Sequence, residues 1–358
     1  MKQIYPRQTF QPARLTALLM VLAIVFGLMF SACQQTTNTP NPNETGTPTP
    51  QATRLATLTP TVEPLGSPNN PFILSAVSEV NDPQVQAAAD EVARQLSEAT
   101  NTTVIARVFS SYQTLMMVME EGRAHITWLP PLTYLYASQR GLAEVVLLTN
   151  HFGVYQYGAQ FMANVENEFT PYYDPISGLN SADAVTALQQ FEGHRPCWVD
   201  SLSASGYIVP AGLLAVNQVP VLPAVITRDH TATVRSLYIK GVCDFGATFS
   251  ISGDPRTAAA VLNDLPDAMD RVLILWRTDG LIPNINLSLL TGLPEKDRQA
   301  FTNAILEIAR TPEGKALLSY AAGDYQIDDI KPIDNGLYDP LRAFVDALNI
   351  NLNDLIGK

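Results

Sequence analysis

The chain has 358 residues, of which 46% are hydrophobic and 16% charged, and its formal net charge at pH 7 is −12. This length and apolar content suffice for one large or two medium globular domains, and the acidic excess argues against nucleic acid or an anionic lipid surface as a partner. An anionic ligand would also meet a repulsive overall field, so a site for one must rely on local donors and dipoles.

The N-terminus has the pattern of a secretory signal. Basic residues but no acidic one precede Cys33, and an uninterrupted apolar stretch, Leu15–Phe30, leads to the small residues Ser31 and Ala32. The stretch is shorter than a membrane span. Cys33 after two small residues resembles a bacterial lipobox, although Phe30 stands where Leu is usual. We therefore predict a lipoprotein signal peptide over residues 1–32 and lipidation of Cys33; an uncleaved signal anchor or a chance cysteine are the alternatives.

Residues 33–70 predict a disordered tether. They are rich in Thr, Pro, Asn and Gln and contain few apolar residues, so they cannot bury enough surface to become ordered. The prolines make such a segment a semi-extended spacer. An anchor followed by a tether places the globular body outside the cytoplasm, held at the bacterial cell membrane by lipid.

Residues 71–165 predict the first part of an α/β lobe. Asp82 and Pro83 are typical of a helix start, and apolar residues then recur at helical spacing. Strands alternate with helices, which favours right-handed crossovers and a parallel sheet covered on both faces. The predicted strands are Phe72–Val77, Val104–Phe109, His125–Leu129, Val145–Leu148 and Tyr157–Ala163.

Residues 166–271 predict a second lobe, and residues 272–358 a return to the first lobe followed by C-terminal helices. The strand Val272–Trp276 is expected to lead back to the first lobe. The predicted fold is thus α/β, with two lobes joined by two crossings. The second lobe contains a helix over Ser181–Phe191, strands at Cys197–Val199, Ala224–Thr227 and Val242–Ala247, and a helix after His230.

The most informative segment is the turn Ser201–Gly206, which follows the strand that ends at Val199. Helix-compatible sequence continues from this turn through Ala215. Several hydroxyl groups and the unpaired N–H groups of a helix start would then surround one point, and such donors hold an oxyanion without Lys or Arg. The plainer interpretation is that one serine caps the helix and the others only fill the loop.

Cys197 and Cys243 lie in short apolar runs of the same predicted lobe. An oxidising compartment permits them to pair, but two free buried thiols are equally compatible with the sequence. With two remaining cysteines and four scattered histidines, we expect no metal site and no cofactor.

Five segments in register resemble the phosphate/phosphite/phosphonate-binding proteins of ABC importers, the PhnD-like group of type II periplasmic binding proteins. The resemblance covers the body from about Pro71 to Gly323. The segments are Ile126–Tyr134 (ITWLPPLTY), Ser203–Pro210 (SASGYIVP), His230–Ala232 (HTA), Gly241–Gly246 (GVCDFG) and Trp276–Pro283 (WRTDGLIP).

This resemblance implies two lobes that close on a phosphorus oxyanion by a hinge motion. The oxyanion would be held at a Ser/Thr-rich helix start, by a histidine from a neighbouring loop and by flanking tyrosines. If the histidine donates as an imidazolium, affinity should weaken above about pH 7. By position, the implied ligand-binding residues are Ser203, Ala204 through its backbone N–H, Ser205, His230, Tyr112 and Tyr157.

Two departures from the family pattern concern the ligand. Ala204 stands where the family turn usually has Thr, which removes one hydroxyl donor. After Pro283 this chain has Asn284 and Asn286, where an acid that holds an amine is common. Either asparagine could contact the ligand, and the two cannot be separated by position. An amide forms no ion pair, which favours phosphate, phosphite or a phosphonate with a neutral tail over an aminoalkylphosphonate.

The implied partners are the small phosphorus oxyanion and the transmembrane subunits of an ABC permease, and we expect a monomer with no catalytic activity. A lipoprotein that senses the same anion is an alternative with the same site. A serine hydrolase using Ser203 or Ser205 with His230 is a further alternative, but the turn lacks the Gly-x-Ser-x-Gly elbow of such enzymes.

Overall fold

A computed structural model describes residues 63–356 of the chain. The predicted signal peptide and most of the predicted tether lie outside these residues. In chain order the strands are β1 (Phe72–Val77), β2 (Val104–Phe109), β3 (Ile126–Leu129), β4 (Ala143–Asn150), β5 (Gln156–Asn164), β6 (Tyr173–Asp174), β7 (Leu179–Asn180), β8 (Pro196–Trp198), β9 (Val225–Ile226), β10 (Phe245–Ser250), β11 (Val272–Arg277), β12 (Ile282–Pro283), β13 (Asn286–Leu290) and β14 (Asp329–Pro332).

The helices of the described part alternate with these strands in the first half and dominate after β13. They are α1 (Pro83–Thr100), α2 (Tyr112–Glu120), α3 (Pro131–Gln139), α4 (Ala184–Leu188), α5 (Val209–Val216), α6 (His230–Ile239), α7 (Ala259–Leu262), α8 (Ala268–Arg271), α9 (Glu295–Ile308), α10 (Pro312–Ala321), α11 (Asp339–Ala347) and α12 (Leu352–Ile356).

The first lobe is built on a sheet with strand order β14-β4-β13-β3-β1-β2. Strand β1 pairs in parallel with β2 and β3, as expected from the alternating strands and helices. Strands β13 and β14 are antiparallel to their neighbours, so the complete sheet is mixed rather than parallel. All six residues of β1 are buried, because helices cover both faces of the central strands.

Helix α1 shows how local sequence sets one of these covering elements. The Asp82 carboxylate accepts a hydrogen bond from Gln84 N at 2.8 Å, and proline occupies the first helical turn. The helix ends at Asn101, which adopts φ 53° in the left-handed region. The stripe of Val85, Ala89, Val92 and Leu96 is buried, as the spacing predicts, and its last three residues pack into the core of the first lobe.

The second lobe is built on a sheet with strand order β11-β5-β10-β8-β9, and β12 adds to β5. Cys197 in β8 and Cys243, just before β10, form a disulfide, which settles the pairing that the sequence leaves open. The bridge joins β8 to the residues just before β10, β8 and β10 also pair in parallel, and both strands lead to the functional site described below.

The lobe boundaries differ from those expected. Strand β5 belongs to the second sheet, and β11 pairs with β5 rather than leading back to the first lobe. The crossings are therefore residues 151–155, between β4 and β5, and residues 284–285, between β12 and β13. The α/β class and the two-lobe architecture are confirmed, but apolar strands of either sheet look alike in sequence, so sheet membership could not be predicted.

Residues 63–70 correct the predicted extent of the tether. Gly66 N donates to Asn70 O and Thr103 N donates to Gly66 O, each at 2.7 Å, so these residues join the body beside β2. At the other end, α11 packs against α5 of the second lobe, where a Cβ on Gly212 would lie 2.5 Å from Phe344 Cβ. Among residues 63–356, no helix has both the length and the apolar character needed to cross a membrane.

Candidate functional site

The serine-rich turn is folded by its own side chains. Leu202 N donates to the Asp200 carboxylate at 2.7 Å, and Gly206 N donates to Ser203 Oγ at 3.0 Å. Glycine is required at 206 because a Cβ there would lie 2.6 Å from Val199 Cβ. The chain then forms a π-helical turn, Ala204–Ile208, that continues into α5. Single π turns of this kind are frequent at functional sites.

This turn leaves the backbone N–H groups of Ala204 and Ser205 without an acceptor. The next donors along the turn are paired, since Tyr207 N and Ile208 N both donate to Ser203 O at 3.0 Å. The N–H groups of Ala204 and Ser205 precede them, and neither donates in any hydrogen bond of the described residues. Unpaired N–H groups at a helix start are suited to an anion.

Because Ser203 Oγ caps the turn, we expect Ser203→Ala to act mainly on stability. Loss of an N-cap hydroxyl costs about 1 kcal/mol of the free energy of unfolding. Urea unfolding of the variant beside the wild type measures this cost, and Ser201→Ala, in an exposed position of the same turn, is the matched control. A Ser203→Ala protein with wild-type stability would show that the hydroxyl has no capping role.

A cavity of about 330 Å³ lies between the lobes, at the π turn and both crossings. Of its lining side chains, only histidines could carry a charge near neutral pH. The lining residues are Pro130, Pro131, His151, Phe152, Tyr157, Ser205, His230, Phe249, Ser252, Asn284, Ile285 and Tyr325. Larger cavities of about 580 and 860 Å³ open elsewhere and contain none of the predicted site residues.

Two tyrosines, Tyr157 and Tyr325, line the cavity together with Ser205. Burial raises the pKa of Tyr157, and the neighbouring Ser205 side chain only partly offsets this effect. Burial also raises the pKa of Tyr325, and the neighbouring Tyr157 adds to this effect. Both phenols therefore remain protonated at neutral pH and are available as donors.

His230 is the first residue of α6, held there by Asp229, whose carboxylate accepts from Ala232 N at 2.7 Å. Its ring packs edge-on against Phe249, with 4.9 Å between the ring centroids. The buried Nδ1 atom has no hydrogen-bond partner among the described residues. His230 lines the cavity, and an unpaired buried polar atom at such a position is expected where a ligand completes the hydrogen bonding.

The electrostatics of His230 argue against the imidazolium form whose pH dependence is considered above. Burial lowers the pKa of His230 to about 4, and Asp200 and Asp229 only partly oppose this effect. The ligand-free protein therefore presents a neutral imidazole at pH 7. A neutral ring still donates from one nitrogen, so a role in anion binding does not require the charge.

We expect two pH effects from this lowered pKa. After correction for ligand ionisation, affinity should be flat from about pH 6 to 8, because His230 is neutral throughout that range. His230 binds a proton near pH 6.5 in the unfolded chain but only near pH 4 in the folded protein. The contribution of neutral His230 to the free energy of unfolding is thus fully present above pH 6.5. It is lost as pH falls toward 4, by at most about 3 kcal/mol.

Calorimetric titration and urea unfolding across this range, with His230→Gln as the comparison, measure both effects. Wild-type affinity that falls above pH 7 while the glutamine variant stays flat would contradict a neutral His230.

Of the predicted site residues, Tyr157, Ser205, His230 and Asn284 line the cavity. Asn284 also ties the crossings together, since its amide nitrogen donates to Val154 O at 2.7 Å. The structure thus distinguishes it from Asn286.

The remaining predicted residues do not line the cavity. Asn286 is fully buried in β13, where its amide donates to Leu129 O at 2.9 Å and to the Tyr338 hydroxyl at 2.8 Å. Tyr112 lines a separate cavity beside Glu79. Ser203 serves as the cap, and Ala204 contributes only backbone.

Several lining residues could not be identified from sequence. His151 and Phe152 lie on the first crossing, Phe249 and Ser252 lie at and just beyond the end of β10, and Tyr325 follows α10. They meet only because both crossings and the C-terminal part converge at the cavity. The one available signal was the aromatic character of the loop after β4.

A model of a known protein family matches most of the chain. The family model described as "ABC transporter, phosphonate, periplasmic substrate-binding protein" matches residues 74–338. No curated protein matches the chain.

Solved structures of the same fold are distant in sequence. XAC2383 from Xanthomonas citri bound to ATP is 16% identical, with a TM-score of 0.59 over 79% of this chain and 98% of that chain. PhnD1 from Prochlorococcus marinus (MIT 9301) in complex with methylphosphonate is 14% identical, with a TM-score of 0.51 over 78% of this chain and 98% of that chain. At this identity the likeness shows a shared fold. With the family match over most of the chain, it follows that this protein belongs to the phosphonate-type periplasmic substrate-binding proteins of ABC transporters and is an extracytoplasmic solute-binding component of an importer.

Proposed function

We propose that this protein binds a small phosphorus oxyanion at the corner of the inter-lobe cavity formed by Ser205, Tyr157 and His230. The observation that carries the proposal is the convergence of uncharged donors there. They comprise the unpaired N–H group of Ser205, directly preceded in the turn by that of Ala204, two protonated tyrosines and an imidazole with an unpaired buried nitrogen.

The energy for binding comes from hydrogen bonds to a charged group rather than from ion pairs. Each such bond contributes about 1.5–3 kcal/mol, so a few suffice for micromolar affinity after ordering costs. The cavity is lined by both lobes, so closure would bring donors of both onto one ligand and remove it from water. A ligand favours the closed state only through such differential contacts.

The closed protein would then deliver its ligand to the permease of the importer. We further propose that the mature chain is a monomer anchored through lipid on Cys33. Catalysis is not part of the proposal. Among the described residues, no hydrogen bond joins Ser205 to His230 as a base-activated nucleophile would require.

A thermal-shift panel on the soluble chain from Gln34 onward tests the proposal. Phosphate, phosphite and methylphosphonate are the candidate ligands, and sulfate is the size-matched control. A ligand at about 100 times its Kd stabilises the folded state by about 2.7 kcal/mol, which is a shift of several degrees. We expect at least one phosphorus oxyanion to produce this shift and sulfate to produce a smaller one; no shift with any of them would refute the proposal.

A further inference from the structure

Most of the cavity wall beyond the proposed oxyanion corner is apolar. Phe152 and Phe249 contribute aromatic rings, and Pro130, Pro131 and Ile285 contribute aliphatic surface. No Asp, Glu, Lys or Arg lines the cavity. A wall of this kind favours an uncharged apolar group, because a charged group there would lose its water without gaining a partner.

The cavity is also larger than a bare oxyanion requires. Its volume of about 330 Å³ corresponds to roughly eleven water molecules at their liquid volume. Phosphate, phosphite and methylphosphonate consist of one phosphorus atom and its immediate substituents, so each would leave most of this space to water. An organic tail several atoms long would fill it.

Phe152 supplies a second, independent observation. It is 55% exposed although aromatic, and it adopts φ 49°, a left-handed conformation that is unusual for a bulky side chain. The crossing holds it there: His151 N donates to Val154 O at 2.8 Å, and Gly153 N donates to the Asp328 carboxylate at 3.2 Å. Strained backbone that presents an exposed aromatic ring to a cavity is typical of ligand clamps.

We infer that the ligand is an organophosphonate with an uncharged apolar tail, and that Phe152 covers this tail as a specificity-determining residue. The inference rests on the proposed oxyanion site, which would hold the phosphonate group. Phe249, in β10 of the second lobe, would form another part of the wall around the tail. Closure of the lobes would then remove the tail from water between two aromatic rings.

An amine-bearing tail is disfavoured by the same wall. The nearest amide, Asn284, donates its hydrogens to Val154 O at 2.7 Å and, more weakly, to Thr149 O at 3.4 Å. Only its carbonyl oxygen remains, a single neutral acceptor. An ammonium group would need several acceptors or a carboxylate to replace its water.

Calorimetric titration with matched ligands tests the inference. Propylphosphonate and 2-aminoethylphosphonate have nearly the same size and differ in a terminal methyl or ammonium group. We expect propylphosphonate to bind at least about tenfold more tightly than either 2-aminoethylphosphonate or methylphosphonate, since each buried methylene adds about a factor of four. Binding of 2-aminoethylphosphonate as tight as that of propylphosphonate would overturn the inference.

The variant Phe152→Ala separates covering of the tail from a general effect on the crossing. It should weaken propylphosphonate about fivefold or more and methylphosphonate less than twofold. Ile176→Ala, at a residue that is 96% exposed and outside the cavity, is the matched control and should change neither. Equal losses for both ligands in Phe152→Ala would overturn the assigned role.

The outcomes also separate this inference from the proposed function. If phosphate and methylphosphonate bind but propylphosphonate does not, the tail site is refuted while the oxyanion site stands. If phosphate, methylphosphonate, propylphosphonate and 2-aminoethylphosphonate all fail to bind, the proposed function itself fails.

Discussion

Replacing Cys197 and Cys243 together with alanine is expected to lower the free energy of unfolding by about 4 kcal/mol. The disulfide joins residues separated by 46 positions. In the chain-entropy account, closing a loop of this length lowers the conformational entropy of the unfolded chain and so stabilises the folded state by about that amount. For a body of this size the melting temperature should fall by roughly 10 °C. Thermal unfolding of the variant and of the wild type, each with and without a reductant, measures the effect.

Alanine is the appropriate replacement because both positions are buried, and serine would place unpaired hydroxyls there. Reduced wild type should approach the melting temperature of the variant, and the variant should not respond to reductant. A variant as stable as oxidised wild type would show that the bridge does not constrain the second lobe.

Replacing Ser205 with alanine is expected to weaken binding of the preferred phosphorus oxyanion about 10- to 100-fold. Its hydroxyl lines the cavity beside Tyr157 and would be a hydrogen-bond donor to a charged ligand. The stability of the ligand-free protein should change by no more than about 1 kcal/mol, because the cap hydroxyl belongs to Ser203. Calorimetric titration of both proteins with the same ligand measures the difference.

Ser201→Ala is the matched control for Ser205→Ala, since Ser201 lies in the same turn but outside this cavity. It should bind as tightly as the wild type. An affinity within twofold of wild type for Ser205→Ala would remove this hydroxyl from the site.

Local signals predicted the separate elements of the first lobe well. The helix start at Asp82–Pro83, the apolar stripe that follows and the first three strands all have the expected form. These features depend on neighbouring residues alone. The sheet to which a strand belongs depends instead on the path of the whole chain, because an apolar strand can pair in either sheet. For this reason β5 and β11 were placed in the wrong lobe.

The candidate site was predictable where one short segment creates it. The turn at Ser203–Gly206 carries its own cap, glycine and unpaired donors, so the turn could be identified from its own residues, while the choice of Ser205 within it followed from family resemblance. His230 followed from family resemblance, but its neutral state depends on burial and could not be predicted. Phe152 and Tyr325 enter the site through tertiary packing, and no local pattern indicates them.

The central claim is that uncharged donors at Ser205 and His230 bind a phosphorus oxyanion. Calorimetric titration of methylphosphonate into the wild type and into the double variant Ser205→Ala/His230→Ala tests it most directly. The account predicts one-to-one binding to the wild type and no measurable heat with the double variant, while urea unfolding shows the variant folded. Binding of equal affinity to both proteins would contradict it.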